Sequence, residues 1–150
     1  MIEYCRGNLL EADAEALVNP VNTQGAMGKG LALAFKNAFP ENFRAYTQAC
    51  QYGQVRTGKM FTTEQQTLLE PRWIINFPTK QHWRDPSKLE WIDQGLADLR
   101  AVLAEKQILS VAIPPLGCGL GGLDWELVKP RIEDALADLA GTRILIFEPL

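Results

Sequence analysis

At 150 residues and 47% hydrophobic content, the chain can bury one core without disulfides or metals to hold it, and a single domain spanning residues 1–150 is expected. A net charge of −3 argues against the basic excess of an indiscriminate nucleic-acid binder; the lack of any apolar run of about 18 residues, or of a basic-then-apolar N-terminus, argues against a membrane span or signal peptide. Cys5, Cys50 and Cys118 are far apart, form no C-x-x-C and share the chain with one histidine, so neither a disulfide nor a metal is expected and a cytoplasmic location is.

In chain order, IEYCR and ALVNP read as strands, and GLALAFKNAF and PENFRAYTQAC as helices, with Pro40 suited to the first turn of the second. KMFTT and WIINFP follow as strands. Ser87 with Glu90 three residues on predicts a capping box, after which Leu89, Ile92, Leu96, Leu99 and Leu103 recur at helical spacing. SVAIPPL is a strand, Trp125 to Leu139 a helix and RILIF a closing strand. Strands that are apolar throughout and separated by helices imply a sheet covered on both faces, hence a three-layer α/β/α domain.

Charge is unevenly spread. Between Gly25 and Thr63 there are five cations (Lys29, Lys36, Arg44, Arg56, Lys59) and one acid (Glu41), a local +4 that leaves −7 elsewhere. Such a flank suits an anionic ligand, and it is equally what a solvated face looks like.

In sheets of this kind ligands bind beyond the carboxyl ends of the strands. Three loops there are unusual: NPVNTQGAMGKG, PTKQHWRD and PPLGCGLGGLDW. GCGLGG, Gly117 to Gly122, matches G-x-G-x-x-G, but a dinucleotide-binding domain places that loop first, whereas here one helix and one strand remain after it. GAMGKG lacks the spacing and the hydroxyl of a P-loop, since Gly30 and Leu31 follow Lys29. Two glycine loops across one rim suit a diphosphate held from both sides by backbone N–H groups. Asn19 and Asn22 suit either a ribose or local turns.

The combination of VNPVNTQGAMGKGLALAFK, INFPTKQHW and IPPLGCGLGGLDW resembles the macrodomains and, among them, the DarG type: antitoxin glycohydrolases that remove ADP-ribose placed on thymidines of single-stranded DNA by a DarT-type toxin. The resemblance covers essentially the whole chain. It implies a three-layer fold with a central mixed sheet and an ADP-ribose pocket. The diphosphate would lie between the Gly25 to Gly30 and Gly117 to Gly122 loops, and Gly25, Met27, Gly28, Gly30, Leu31, Pro115, Gly117, Cys118, Gly119, Leu120, Gly121 and Gly122 are the residues there expected to touch ADP-ribose. The distal ribose would lie near Asn22 and the adenine near Asn8 and Leu9. ADP-ribose, ADP-ribosylated single-stranded DNA and the toxin are the implied partners, and a monomer is expected. Asn8 stands where many macrodomains carry an aspartate. Gly121 and Gly122 separate the G-C-G-L run from Asp124, which is read as a helix cap. The resembling antitoxins continue into a second domain, so the chain is expected to be an excised domain.

Lys80 is the amine that the WIINF strand delivers to this rim, and the resemblance makes it the catalytic residue. At its ordinary pKa of about 10.4 it is protonated at neutral pH, so nucleophilic action requires desolvation or a neighbouring cation. Three routes stay open: attack on the anomeric carbon, capture of the ring-opened aldehyde as a Schiff base, or stabilisation of the leaving base while water attacks. His82, Trp83 and Arg84 are candidate contacts to substrate or DNA. Two alternatives remain beside a DNA glycohydrolase: a reader that binds ADP-ribose without hydrolysis, and a hydrolase of protein-linked ADP-ribose.

Overall fold

The computed structural model describes residues 1–150. Six strands, β1 (Ile2–Cys5), β2 (Ala16–Asn22), β3 (Phe61–Glu64), β4 (Trp73–Lys80), β5 (Ser110–Ile113) and β6 (Arg143–Phe147), form one sheet in the order β1-β6-β5-β2-β4-β3. All neighbours are parallel except β3, which runs antiparallel to β4 at the edge. Four helices, α1 (Gly30–Ala38), α2 (Pro40–Gln51), α3 (Leu89–Glu105) and α4 (Trp125–Leu136), complete the three-layer α/β/α arrangement with its central mixed sheet. No helix is long and apolar enough to cross a membrane.

The two-faced core follows from strand alternation. Ala16, Val18, Ile75, Phe77, Val111, Ile113, Ile144 and Ile146 pack under α3 and α4 with Ile92, Leu96, Leu99, Val128 and Ile132. Their alternates Leu17, Ile74, Ala112, Leu145 and Phe147 pack with Phe35 of α1. Every one of these side chains is at least nine-tenths buried. Gly95 of α3 sits so close to the sheet that a Cβ there would lie 2.3 Å from the Phe77 ring.

Under α2 the apolar core of Val21, Met27, Tyr46, Ala49 and Val55 is joined by a buried polar cluster. Asn42 and Asn76 exchange amide hydrogen bonds of 3.1 and 2.9 Å, Asn19 donates to Asn76 Oδ1 at 3.1 Å, and Thr63 donates to Asn42 Oδ1 at 2.6 Å. Asn19, which suited a ribose or a turn, is therefore part of a buried cross-tie between β2, β4 and α2.

Three local expectations are corrected. Ser87 does not cap α3: Lys88 holds the N-cap position without a side-chain bond, while Ser87 is buried and donates its N–H to Gly121 O at 3.0 Å. Packing against the glycine loop outweighs the local capping motif. Helix α4 ends at Leu136 rather than Leu139, and β4 continues past WIINFP to Lys80 because its last residues still pair with β2.

Candidate active site

Central strands β2, β4 and β5 are parallel, so the loops that follow them open on one rim. Between these loops lies a cleft of about 500 Å³.

One wall is the turn into α1. Ala26, Gly28, Lys29, Gly30, Leu31 and Ala32 line the cleft. The N–H groups from Gly28 to Ala32 donate to no protein acceptor, and Lys29 at the N-cap contributes no side-chain bond. The free end of a helix with several unsatisfied donors is an anion cradle.

The opposite wall is formed by Pro114, Pro115, Gly117, Gly119, Leu120 and Gly121. Its shape is set by Leu123 N–H bonding Gly117 O at 2.9 Å and by Ser87 N–H bonding Gly121 O. Gly117 has φ +73, and a Cβ there would approach Leu123 to 2.7 Å, so this corner requires glycine. Gly119 differs: it lines the cleft, and nothing lies within 4 Å of the Cβ it lacks. The N–H groups of Gly117, Gly119, Leu120 and Gly121 are also unpaired, so both walls present donors to the gap.

Asn22 forms the floor. Its Oδ1 accepts from Gln24 N–H at 2.9 Å, Ala26 N–H at 3.4 Å and the Tyr46 hydroxyl at 3.0 Å, while its Nδ2 donates to Ala26 O at 2.9 Å. With the oxygen committed three times, what the amide has left for a ligand is one N–H. Tyr46, fully buried on α2, has one hydroxyl proton, and it is shared between Asn22 Oδ1 and the nearer Asn22 O at 2.7 Å. Burial pushes its hydroxyl pKa up, which keeps it a donor. Tyr46 lies 24 residues from Asn22 and carries no sequence signal of this role.

Lys80 ends β4 directly beside Asn22. The β2–β4 register shifts after Val21↔Pro78, so that Asn22 pairs with Lys80 and Thr79 is passed over. The Lys80 amine donates to Trp83 O at 3.2 Å. Burial holds its pKa below the usual lysine value, with the Asp85 carboxylate opposing that shift. Trp83 lines the cleft and is 44% exposed. His82 stacks on it at 5.4 Å and Arg84 lies 4.6 Å from its ring centre. His82 Nδ1 accepts from Arg84 N–H at 3.0 Å, a turn bond that takes up one imidazole nitrogen.

A second cavity of about 510 Å³ adjoins the first through Leu31, Pro114 and Pro115 and contains Asn8 and Leu9. Asn8 caps the short 3-10 helix Leu9–Glu11 by accepting from Leu10 N–H at 3.0 Å.

Of the residues expected to touch ADP-ribose or DNA, Asn22, Gly28, Gly30, Leu31, Lys80, Trp83, Pro115, Gly117, Gly119, Leu120 and Gly121 converge on the main cleft, and Asn8 and Leu9 on the second. Gly25, Met27, Cys118, Gly122, His82 and Arg84 lie outside the lining of both. Met27 is buried with Val21, Tyr46 and Val55, and Gly25 packs over Cys50. The Cys118 thiol points to Leu116 O at 3.5 Å, and burial raises its pKa to about 11, leaving it a protonated packing group. Asp124 accepts from Glu126 N–H at 3.0 Å as the cap of α4. Lining residues that sequence reading passed over, such as Pro20, Thr79 and Ala32, carry no chemical signature.

The profile of the Macro domain matches residues 18–132. The chain is 53% identical over 150 residues to the DNA ADP-ribosyl glycohydrolase of Thermus aquaticus, an alignment that covers 100% of the chain and 42% of the relative. Superposed on the macrodomain of Mycobacterium tuberculosis DarG, it gives a TM-score of 0.99 at 55% identity, covering 100% of the chain and 99% of that structure. With the Thermosipho africanus DarTG in complex with ADP-ribose the values are 0.90 and 32%, covering 98% of the chain and 41% of that structure. The chain spans about two fifths of the length of the curated relatives it matches. By sequence and by structure, the chain belongs to the macrodomain family, among macrodomains of the DarG type.

Proposed function

We propose that this domain is an ADP-ribosyl glycohydrolase that releases ADP-ribose from thymidine bases of single-stranded DNA in the cytoplasm, and so counters a DarT-type transferase. The observation that carries this reading is the pairing of Asn22 with Lys80: a lone amide donor and a partly desolvated amine stand side by side at one end of a cleft whose walls offer unpaired N–H groups. Relatives named for this activity support the reading.

A diphosphate between the walls would accept from both sets of N–H groups, and the adenosine end would extend toward Asn8 and Leu9. The ribose bonded to the thymine then falls at the Asn22–Lys80 end. There the Asn22 N–H can donate to a ribose oxygen and fix the anomeric carbon beside the amine. A neutral Lys80 would attack that carbon and displace the thymine, the C1–N bond to the base breaking as the bond to the amine forms and the base nitrogen taking up a proton; the resulting glycosylamine opens to a Schiff base that water hydrolyses to free ADP-ribose. A protonated Lys80 would donate a proton to the departing thymine while water attacks.

The test is turnover. A thymidine-modified single-stranded oligonucleotide, an ADP-ribosylated protein and free ADP-ribose are each incubated with the domain in the presence of a chelator. Release from the oligonucleotide is expected. Tight binding of ADP-ribose with no release from any substrate would make the domain a reader, and release from the protein alone would move the substrate class.

A further inference from the structure

Arg44, Arg72, Arg100, Arg131 and Arg143 each pair with a carboxylate. Arg6, Arg56 and Arg84 do not; Arg6 donates to Pro149 O beyond edge strand β1, whereas Arg56 and Arg84 belong to the segments at the carboxyl end of β4. Because β3 runs antiparallel to β4 with Phe61 opposite Asn76, the segment entering β3 lies beyond the carboxyl end of β4, on the side where Lys80 emerges. That segment is pinned from below by buried Val55, packed with Val21 and Tyr46, and by Met60 N–H donating to Asp98 of α3 at 2.7 Å. Its exposed residues include Tyr52, Arg56 and Lys59, and Tyr52 is 71% exposed. Trp83 and Arg84 sit in the loop that leads into the same α3, exposed, with the guanidinium over the ring. The acids nearest in the chain are accounted for in part: Asp98 is engaged by Met60 and Asp93 by Arg131, leaving Asp85 and Glu90.

We propose that this arc, Tyr52, Arg56 and Lys59 on one side of the Lys80 mouth and Trp83 and Arg84 on the other, is a track for single-stranded DNA: the cations take the phosphodiester backbone and the aromatic rings take unpaired bases. The proposal rests on the DNA reading of the cleft and adds to it the direction in which the strand leaves. Exposed rings between unpaired cations are the usual construction for single strands, since stacking tolerates any base and cations neutralise phosphates. The arc also explains how a protein of net charge −3 can hold DNA, because the cations are gathered at one rim.

The experiment uses an unmodified thymidine-containing single-stranded oligonucleotide, whose binding is followed by anisotropy over a range of salt. The probe does not depend on hydrolysis, so loss of the glycohydrolase reading would leave this measurement intact. Tyr52→Ala, Arg56→Ala and Lys59→Ala in combination should weaken binding by roughly tenfold or more and make the salt slope shallower by about 1.4, at ~0.7 per lost phosphate contact. The affinity for free ADP-ribose should not change. Lys106→Ala is the charge control: Lys106 covers Trp73 at the far end of α3, about 25 Å along a 17-residue helix, and its loss should leave oligonucleotide binding as it was. Equal loss per removed charge in the control and the rim variant would reduce the effect to net charge and overturn the track. Wild-type affinity and salt slope in a folded rim variant would overturn it as well.

Discussion

Asn22 and Lys80 are registered partners on adjacent parallel strands, brought level by a shift that passes over Thr79. Each has a different anchor. Tyr46 holds the Asn22 amide, whereas the Lys80 amine is tethered only to the Trp83 carbonyl in an exposed turn. The binding half of the site is thus fixed from the core, and the reacting half from a loop.

Lys80→Ala should lower release of ADP-ribose from modified DNA by roughly 10²–10⁴-fold, the range for removing a positioned proton-transfer or nucleophilic group. Affinity for free ADP-ribose should stay within about threefold, since the walls supply the ground-state contacts. Lys80→Arg keeps the charge but cannot act as a nucleophile at neutral pH. Single-turnover kinetics of both variants decides the role: arginine working at the wild-type rate would assign Lys80 to electrostatics.

The lowered Lys80 pKa gives the pH profile a sign. Burial disfavours the ammonium, so the neutral amine becomes populated below the ordinary value of about 10.4. If the neutral amine attacks, the rate rises with pH and levels off once Lys80 is deprotonated. If the ammonium assists the leaving base, the rate is full at low pH and falls through the same pKa. A plateau on the alkaline side, together with a borohydride-trapped adduct on Lys80, is expected for attack through a Schiff base.

Tyr46→Phe should release the Asn22 amide without opening a large cavity. Losing a buried hydrogen bond of ordinary strength costs about 1 kcal/mol, or roughly fivefold in ADP-ribose affinity if the bond serves to orient Asn22. Isothermal calorimetry checks this. An unchanged Kd with a lowered Tm would assign Tyr46 to stability alone. Asn22→Ala should weaken both ADP-ribose binding and turnover.

Gly119→Glu should abolish ADP-ribose binding in a folded protein, because its side chain enters open cleft space and brings a negative charge to an anion cradle. Gly121→Ala should behave differently: a Cβ there would meet Gly117 O at 2.5 Å, so the loop itself must shift and the Tm should fall. Thermal unfolding with and without ADP-ribose separates the two cases, since only a competent pocket raises the Tm with ligand.

The rim loops are legible in the sequence because each follows an apolar strand: two are rich in glycine, and the third, PTKQHWRD, gathers a lysine, a histidine, a tryptophan and an arginine directly after its strand. Lys80 is legible because the strand leads into it. The partners that set the site are not. Tyr46 looks like any aromatic on an amphipathic helix, and the shift that aligns Asn22 with Lys80 exists only once β2 and β4 are paired. Ser87 and Glu90 show the opposite failure: a sound local capping signal is overridden because Ser87 is needed against the glycine loop. Met27 and Cys118 sit within the right motifs but pack against the core.

The reciprocal amide bonds between Asn42 and Asn76, with Asn19 joined to them, have a kinetic consequence. They rivet α2, which carries Tyr46, to β4, which carries Lys80, and neither element can slide without breaking several buried polar contacts at once. Product escape must therefore run through the turns, at residues 23–29, 81–88 and 117–122, while the floor stays still. In hydrogen exchange the amides of β2 and β4 should be among the last to open, and the turns that admit the nucleotide among the first.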